Sequence, residues 1–333
     1  MKLKPLDQQT IVITGGSSGI GLATARLAAK RGANVVIIAR NEDGLETAAA
    51  QIRADGGRCD TISADVSNRA EVKAAVAAVI ERHGGFDTFV SNAGVGVYAM
   101  LEELSDADHH QVFDVNYWGA VHCATEALPY LKAHGGALIV TGSIASDMPS
   151  PVLSSYAASK HAVKGYIDSL RIELIHEHAP VSVTLIQPSG INTPFSAHAL
   201  NLMDEKAKVP QPVYSPDLVA DAICHTAAHP TRDMIVGGAG RAMTLLAMLA
   251  PNLADRIFAW AFFATALEKG VPTPPQTGEG FRTGGGEGKV YGQQMMRQTS
   301  IYTFVRSNPL ASLAGALAAA GAAGAMSAAL RRR

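Results

Sequence analysis

Residues 11–21 read IVITGGSSGIG, and this stretch decides the fold. The apolar run at residues 11–13 predicts a buried strand, and the apolar pattern of residues 22–28 predicts a helix. Glycines between them let the backbone approach a pyrophosphate closely, and the start of a helix offers free N–H groups to its negative charge. A glycine-rich turn alone is a weak signal, but with both flanks present the stretch predicts a dinucleotide-binding loop.

Predicted strands and helices alternate over the first 240 residues. Apolar runs rich in β-branched residues predict strands at 11–14, 35–39, 61–63, 88–91, 138–141, 181–186 and 234–236. Helical patterns separate them near 20–31, 42–54, 68–83, 106–133, 154–178 and 216–229. This alternation predicts an α/β fold with a doubly wound parallel sheet, the Rossmann fold, in a single main domain.

The composition favours one large domain with an appendage and excludes some partners. The chain has 333 residues, of which 47% are hydrophobic and 17% charged, so it can bury a large core. Its 28 basic and 29 acidic residues nearly cancel, and we therefore expect no nucleic acid partner. Cys59, Cys123 and Cys224 lie far apart and no HExxH motif occurs, which predicts no metal site. The sparse cysteines and the polar residues 1–9 lead us to expect a cytoplasmic protein.

Three side chains with acid–base or hydrogen-bonding chemistry occur close together in the sequence. Tyr156 and Lys160 are four residues apart in a predicted helix and therefore share one face. An ammonium group beside a phenol favours the phenolate, so Lys160 is predicted to lower the pKa of Tyr156. Ser143 ends a predicted strand, at the edge where open α/β sheets bind ligands. Taken singly, these residues could equally be an exposed helix pair and a turn serine.

Taken in order, the motifs of residues 7 to 240 resemble the short-chain dehydrogenase/reductase family. The resemblance implies a catalytic set formed by Asn116, Ser143, Tyr156 and Lys160. It also implies a cofactor site formed by Gly15, Ser17, Ser18, Gly19, Ile20, Gly21, Asp65, Val66, Asn92, Ala93, Gly94, Tyr156, Lys160, Pro188 and Thr193, to which the next strand end adds Arg40. The chain departs from the family where Pro188-Ser189-Gly190 replaces the usual Pro-Gly, so the path of the backbone past the nicotinamide stays open there.

The end of the second predicted strand indicates which dinucleotide binds. An acidic residue at this tip would bond the ribose hydroxyls of NAD and repel a phosphate. Here Ala39 occupies the tip, and Arg40 follows with a permanent charge that can grip a phosphate with two hydrogen bonds. We therefore predict NADP(H), the alternative being that Arg40 is a solvated loop residue.

The resemblance implies an NADP(H)-dependent oxidoreductase that transfers a hydride between the nicotinamide and a carbonyl or alcohol carbon. Tyr156 is the expected general acid or base, and Ser143 the donor to the same substrate oxygen. Asn116 is expected to hold a water that links Lys160 to solvent, and its alternative role is a local structural bond. The apolar residues near the expected cleft favour a lipophilic substrate: Val95, Val97, Tyr98, Met148, Leu153 and Phe195.

Two further expectations concern partners and a rival function. The family implies a homo-oligomer assembled through the helices near 106–133 and 154–178. The rival function is a non-catalytic NADP-binding regulatory or scaffold protein. The complete set of four catalytic residues argues against that rival, because a binding module has no chemical need for all of them.

The last third of the sequence departs from the family pattern. Residues 241–270 are strongly apolar and predict a helical extension, which either packs on the domain or contacts lipid and lines a substrate entrance. Residues 271–300 are rich in Gly, Pro, Thr and Gln and predict a flexible linker. Residues 301–333 predict an alanine-rich helix with a basic end. Alanine supplies little transfer energy, so we expect peripheral membrane contact, an oligomer contact or an exposed helix there, not a span.

Overall fold

The computed structural model describes residues 2–274, 278–285 and 288–308, together with Ser312. The strands of these residues are β1 (Thr10–Thr14), β2 (Asn34–Ala39), β3 (Arg58–Ser63), β4 (Thr88–Ser91), β5 (Val97–Tyr98), β6 (Gly136–Thr141), β7 (Val181–Pro188), β8 (Leu200–Asn201), β9 (Glu205–Ala207), β10 (Asp233–Val236) and β11 (Leu267–Pro272). The α-helices are α1 (Gly19–Lys30), α2 (Glu42–Ala54), α3 (Arg69–His83), α4 (Asp106–Phe113), α5 (Gly119–His134), α6 (Ser154–His176), α7 (Phe195–His198), α8 (Pro216–Ala228), α9 (Gly238–Leu249), α10 (Pro251–Thr265), α11 (Glu279–Thr283) and α12 (Ile301–Ser307).

A seven-stranded sheet in the order β10-β7-β6-β4-β1-β2-β3 organises the domain, and its neighbouring strands pair in parallel. The order reverses direction between β1 and β4, which creates the crevice where open α/β sheets bind ligands. The predicted doubly wound parallel sheet is therefore confirmed. Two small ribbons, β5 with β8 and β9 with β11, lie apart from it.

Both faces of the central strands are buried, which explains why these strands read as continuous apolar runs. In β1, the side chains of Ile11 and Ile13 face the core formed with α1, α2 and α8. Val12 between them faces the second core, formed with α3, α5 and α6. Successive strand residues point to opposite faces, so a strand covered on both sides needs an apolar residue at every position.

One predicted helix is interrupted. Residues 106–133, predicted as a single helix, form α4, a π-helical turn at Asp114–Trp118, and α5. A π turn inserts one extra residue into the helix and is found mostly at functional sites. Here it carries the buried Asn116, whose side chain bonds the backbone of a neighbouring loop. The spacing of apolar residues in the sequence does not reveal such a turn, because the helical pattern continues through it.

The described part of the C-terminal third packs against the sheet domain. The helices α9 and α10 contact each other and form a pair whose inner face covers Met148. Several described residues of the range 271–300, predicted as a linker, are hydrogen-bonded to the domain, for example from Gln294 N to Asn192 Oδ1 at 3.1 Å. The alanine-rich part of the predicted helix lies outside the described residues, apart from Ser312. In the ranges that the structure describes, no helix has the length and hydropathy of a membrane span.

Candidate active site

The glycine loop joins β1 to α1 in a conformation that requires its glycines. Gly15 has a φ of +66°, which disfavours side chains. A Cβ on Gly21 would lie 2.1 Å from the carbonyl oxygen of Gly15, so the helix can approach the turn this closely only because residue 21 is a glycine. Ser18 occupies the N-cap of α1, but its side chain makes no capping hydrogen bond. The first N–H groups of α1 are therefore left to partners outside the helix.

The glycine loop borders a cleft that contains about 980 Å³ of space, open solvent included. Most of the predicted cofactor residues line it: Gly15, Ser17, Ser18, Gly19, Ile20, Arg40, Asp65, Val66, Asn92, Ala93, Gly94 and Thr193. Gly21 lies beneath the loop, against Gly15. Thr193, from the segment after β7, touches the loop, because a Cβ on Gly19 would lie 3.3 Å from the Thr193 Cβ.

Thr14 ties the ends of β1 and β4 together. Its Oγ1 accepts hydrogen bonds from the backbone N–H groups of Asn92 at 2.9 Å and Ala93 at 3.2 Å. In return, Asn92 Nδ2 donates to the Thr14 carbonyl oxygen at 3.1 Å. Our sequence prediction did not assign Thr14 a role. This role could have been predicted, because the hydroxyl of a threonine at a strand end beside the glycine loop lies within reach of its own turn and of the neighbouring strand.

Arg40 lies in the wall of this cleft, at the tip of β2, with 19% of its side chain exposed. Its Nη1 is 3.6 Å from Asp65 Oδ2 and donates to the Arg282 carbonyl oxygen at 3.0 Å. Asp65 also accepts from Ser67, whose Oγ is 2.7 Å from Oδ1. The guanidinium is thus held by partners on two sides and is not a freely solvated loop group.

A second cleft, containing about 1100 Å³ of space, open solvent included, adjoins the first. Ser143, Tyr156, Lys160 and Pro188 line it. Five residues line both clefts: Ile20, Asn92, Gly94, Thr193 and Phe195. A molecule bound in the first cleft can therefore meet one bound in the second, beside the tyrosine.

Tyr156 and Lys160 stand as predicted on one face of α6, and burial shifts the pKa of both side chains. Burial raises the pKa of Tyr156, and a hydrogen bond with the Ser143 side chain opposes that rise. Lys160 Nζ lies 5.7 Å from the Tyr156 ring centroid and donates to the Thr141 carbonyl oxygen at 2.8 Å. Burial lowers the pKa of Lys160 to about 8. The Ser143 side chain thus favours the Tyr156 phenolate, and the effect of Lys160 on the pKa of Tyr156 stays a prediction.

The loop after β6 holds Ser143 in place. Ser143 begins a 3₁₀ turn, and its Oγ accepts from the backbone N–H of Ala145 at 3.1 Å. The turn ends at Asp147, whose carboxylate is bonded by both Lys164 of α6 and Gln187 of β7. Three elements therefore brace the serine hydroxyl opposite Tyr156. Neither Asp147 nor Gln187 was predicted, because their pairing is visible only after the sheet brings β6 and β7 together.

Asn116 is buried beside the lysine rather than pointing into the cleft. Its Oδ1 accepts from Val95 N at 2.8 Å, and its Nδ2 donates to Val95 O and to Ser159 Oγ, both at 3.0 Å. A Cβ on Gly94 would lie 3.3 Å from Asn116 Oδ1 and 3.7 Å from Lys160 Nζ, which places both side chains around this glycine. The local structural bond is therefore present, and the water-holding role stays a prediction.

At Pro188-Ser189-Gly190, where the sequence departs from the family pattern, the structure shows which hydrogen bonds the added serine makes. Ser189 N donates to Val236 O at 2.9 Å, which continues the pairing of β7 with β10. The Ser189 Oγ donates to Gly237 O at 3.1 Å, at the start of α9. All three residues line the second cleft. The added serine thus extends the strand and attaches the C-terminal helix pair to it.

The second cleft is mostly apolar, and the helix pair contributes to it. Tyr98, Leu153 and Phe195 line it as predicted, and the Phe195 ring stands edge-on to Tyr156 with centroids 5.4 Å apart. Met243 of α9 and Phe262 of α10 also line it. Three other predicted residues lie elsewhere: Val95 in the first cleft, and Val97 and Met148 in buried clusters. The apolar extension therefore both packs on the domain and forms part of the cleft wall.

Comparison with known proteins agrees with this geometry. The profile of the short chain dehydrogenase family matches residues 9–202. An uncharacterized oxidoreductase of Bacillus subtilis (strain 168), YxnA, is 37% identical over 318 residues, which cover 94% of this chain and 89% of that protein. A 3beta-hydroxysteroid dehydrogenase of Mediterraneibacter gnavus is 36% identical over 191 residues, covering 57% of this chain and 68% of that one.

Two solved structures are also similar. An alcohol dehydrogenase from Thermococcus sibiricus, complexed with 5-hydroxy-NADP, is 29% identical with a TM-score of 0.60, covering 68% of this chain and 95% of that one. A short chain dehydrogenase/reductase from Burkholderia phymatum, in complex with NAD, is 26% identical with a TM-score of 0.67, covering 75% and 96%. The chain belongs to the short-chain dehydrogenase/reductase family. It is an oxidoreductase of that family. The two similar solved structures contain nicotinamide dinucleotides, 5-hydroxy-NADP in one and NAD in the other.

Proposed function

We propose that the protein is an NADP(H)-dependent oxidoreductase that interconverts a carbonyl and a hydroxyl group on a lipophilic substrate. The observation that carries the proposal is the meeting of two clefts at Tyr156. One cleft has a dinucleotide-binding glycine loop, and the other is apolar with Ser143 and Tyr156 in its wall. The residues of the first cleft fit a dinucleotide, because Gly21 lets the turn at Gly15 pack closely on the start of α1, whose amide groups can bind a pyrophosphate in place of the Lys289 carbonyl oxygen that now accepts from Gly19 N.

The polar residues of the second cleft supply acid–base chemistry at one substrate oxygen. A nicotinamide bound in the first cleft would supply or accept the hydride. In the reductive direction Tyr156 donates its proton to the carbonyl oxygen, and its raised pKa keeps the phenol protonated at neutral pH. Ser143 donates a hydrogen bond to the same oxygen, where negative charge develops. Lys160, buried beside the tyrosine, places a positive charge near that oxygen below about pH 8.

The preference for NADP(H) rests on Arg40. The tip of β2 carries Ala39, and no carboxylate from this strand end competes with a phosphate for the ribose. The Arg40 guanidinium lies in the cleft wall, where it can bind a phosphate with two hydrogen bonds. Asp65, 3.6 Å away, orients the guanidinium from the other side.

The class of substrate is inferred from the lining of the second cleft. The side chains of Tyr98, Leu153, Phe195, Met243 and Phe262 form an apolar surface around the polar pair of Ser143 and Tyr156. Such a lining favours a bulky lipophilic ketone or secondary alcohol. A relative of similar sequence is a hydroxysteroid dehydrogenase, so alicyclic ketones are a reasoned starting set for a substrate screen.

Fluorescence titration with NADPH and, separately, NADH tests the cofactor. We expect NADPH to bind at least ~10-fold more tightly, which corresponds to about 1.4 kcal/mol. Arg40→Asp should reverse the order, because a carboxylate at this position repels the phosphate and bonds the ribose hydroxyls. The matched change Arg53→Asp, at an exposed residue of α2, should leave the ratio unchanged. An unchanged ratio in Arg40→Asp would refute the NADP(H) assignment, and a folded wild type that binds neither dinucleotide would refute the proposed activity.

We also infer a homo-oligomer assembled through α6. Ile172 and Ile175 of this helix are exposed, although both are large apolar side chains. A second copy of the chain would bury them. Sedimentation analysis of wild type and of the double change Ile172→Glu with Ile175→Glu checks this, and a monomeric wild type would contradict it.

A further inference from the structure

The chain returns to the first cleft after leaving α10. We call residues 278–285 and 288–294 the C-terminal strap. The first range lines this cleft, and the second continues past the start of α1 to Asn192. Ser17 Oγ donates to the Gly285 carbonyl oxygen at 3.0 Å, and Gly19 N donates to the Lys289 carbonyl oxygen at 2.9 Å. Gly19 is the first residue of α1, so the strap contacts the glycine loop itself.

The strap is anchored to the domain on both sides of the cleft. On one side Phe281, 2% exposed, packs in a cluster with Val97, Ala99 and Val112. On the other side Val290 is buried in the core beneath α1 and α2. Beyond it, Gln294 N and Asn192 Oδ1 are hydrogen-bonded at 3.1 Å, beside the segment that carries Thr193. These contacts determine the position of the strap across the cleft.

The strap leaves space beneath it. Gly280, Gly284 and Gly285 line the cleft together with the glycine loop, so the cleft of about 980 Å³ has a wall made of strap backbone. A Cβ on Gly285 would lie 2.2 Å from His198 Cε1, so only glycine lets the strap come this close to the domain. The strap therefore covers the cleft and does not fill it.

The strap also holds the residue that we propose to select the cofactor. Arg40 Nη1 donates to Arg282 O at 3.0 Å, and its Nη2 lies 3.5 Å from Gly280 O. These two carbonyl oxygens belong to the turns of α11, which Phe281 anchors. The strap thus fixes the guanidinium in the wall of the first cleft.

On the basis of the proposed function, we propose that the C-terminal strap is the outer wall of the cofactor site. A dinucleotide binds in the first cleft on the inner side of the strap, where its pyrophosphate replaces the Gly285 and Lys289 carbonyl oxygens as the acceptor from Ser17 and Gly19, and the strap retains it through its remaining anchors. Release then requires the strap to detach, which slows dissociation. Since detaching the strap also frees Arg40, the strap contributes to the NADPH preference as well as to residence time.

Stopped-flow release of NADPH, chased with excess NADP⁺, tests the proposal. Phe281→Ala removes the anchor of α11, and we expect the release rate to rise at least ~10-fold while the association rate changes by less than about 3-fold. The matched change Phe304→Ala, at a side chain that is 60% exposed in α12, should leave both rates unchanged. Equal release rates in wild type and Phe281→Ala would overturn the proposal, as would tighter binding by Phe281→Ala, which would mean that the strap competes with the cofactor.

Limited trypsin digestion of the wild-type chain tests the same proposal without a substitution. Arg282, Lys289 and Arg297 are cleavage points on and beside the strap. Saturating NADPH should slow cleavage after Arg282 and Lys289, because a bound dinucleotide holds the strap down, while cleavage after Arg306 of α12 is the internal control. Faster cleavage with NADPH would overturn the proposal. If wild type binds neither dinucleotide, the proposed function falls with it, whereas NADPH binding with no change in release or cleavage removes the strap proposal alone.

Discussion

The parallel sheet and the α9–α10 pair contain the same kinds of apolar side chain, but they bury them to different extents. Phe89 of β4 is fully buried, whereas Trp260 of α10 is 76% exposed. In the central strands of the sheet, helices cover both faces, so the inner strand positions are enclosed. The helix pair has the domain on one side only, where Phe258 and Phe262 pack against Met148. An apolar segment is therefore a candidate for burial, but its side chains are buried only where another helix or sheet packs over them.

The outer face of the pair is an apolar surface in the part of the chain that the structure describes. It consists of Met248, Leu249, Leu253, Ile257, Trp260 and Phe263. Single exposed apolar residues are ordinary, but a contiguous group of this kind usually marks a contact surface or a path to a binding site. The same two helices supply Met243 and Phe262 to the second cleft. The exposed face is thus continuous with helices that form the proposed substrate wall.

Replacing one phenylalanine by alanine in each of the two regions tests this difference in burial, and it has the largest expected effect. Phe89→Ala should lower the free energy of unfolding by about 3–5 kcal/mol, because it leaves a cavity in an enclosed core. Phe263→Ala, at a side chain that is 45% exposed, should cost less than about 1.5 kcal/mol, because little apolar surface is lost from a buried site. Urea unfolding of the two variants measures both values. A cost at Phe263 equal to that at Phe89 would show that another surface covers α10.

A second test asks whether turnover depends on the sheet domain alone. Tyr156→Phe should lower the turnover number at least ~10²-fold, the usual contribution of a general acid, while NADPH still binds. Tyr302→Phe makes the same change in α12 of the C-terminal third and should leave turnover unchanged. Steady-state kinetics with any ketone that the wild type reduces, together with NADPH titration, gives both readouts. Near-normal turnover in Tyr156→Phe would refute its role as the acid.

A third and smaller effect concerns the pH dependence of stability. The pKa of Lys160 is about 8 in the folded chain and near 10.5 when unfolded, so between these values the unfolded state binds more protons. The free energy of unfolding of wild type, taken relative to Lys160→Met, should therefore rise with pH by up to about 1.4 kcal/mol per unit across this window.

The control for this pH test is a lysine in the C-terminal third of the chain. Lys269→Met, at an exposed position of β11, should leave the pH profile of wild type unchanged. Denaturant unfolding at pH 7, 8, 9 and about 10 supplies the comparison. A difference between wild type and Lys160→Met that stays constant across these values would mean that the folded lysine keeps its ordinary pKa.

Much of the sheet domain could be predicted because its signals are local. The strand period, the glycine loop and the four-residue spacing of Tyr156 and Lys160 each lie within a few neighbouring residues. The π turn at Asn116 could not be predicted in the same way, since it depends on hydrogen bonds to Val95 and Ser159 from distant parts of the chain. The bracing of Asp147 by Gln187 and Lys164 is hidden for the same reason.

The C-terminal third shows where composition misleads. A segment rich in glycine and proline predicts a linker, because such residues gain little by packing their own side chains. In the structure the strap contacts the domain through its backbone carbonyls, which accept from Ser17, Gly19 and Arg40. Backbone groups are the same in every residue, so no pattern of side chains indicates this use. The glycines matter here because they allow the close approach.

By itself, the sequence determined the parallel sheet, the dinucleotide loop and the identity of the residues around the candidate active site, because these follow from short-range periodicity and chemistry. Only the tertiary structure decided which group lies beside the Tyr156 hydroxyl, which residues brace Ser143, and how the last third meets the first cleft. Those outcomes depend on distances between segments far apart in the chain, and on how much water each group loses when they come together.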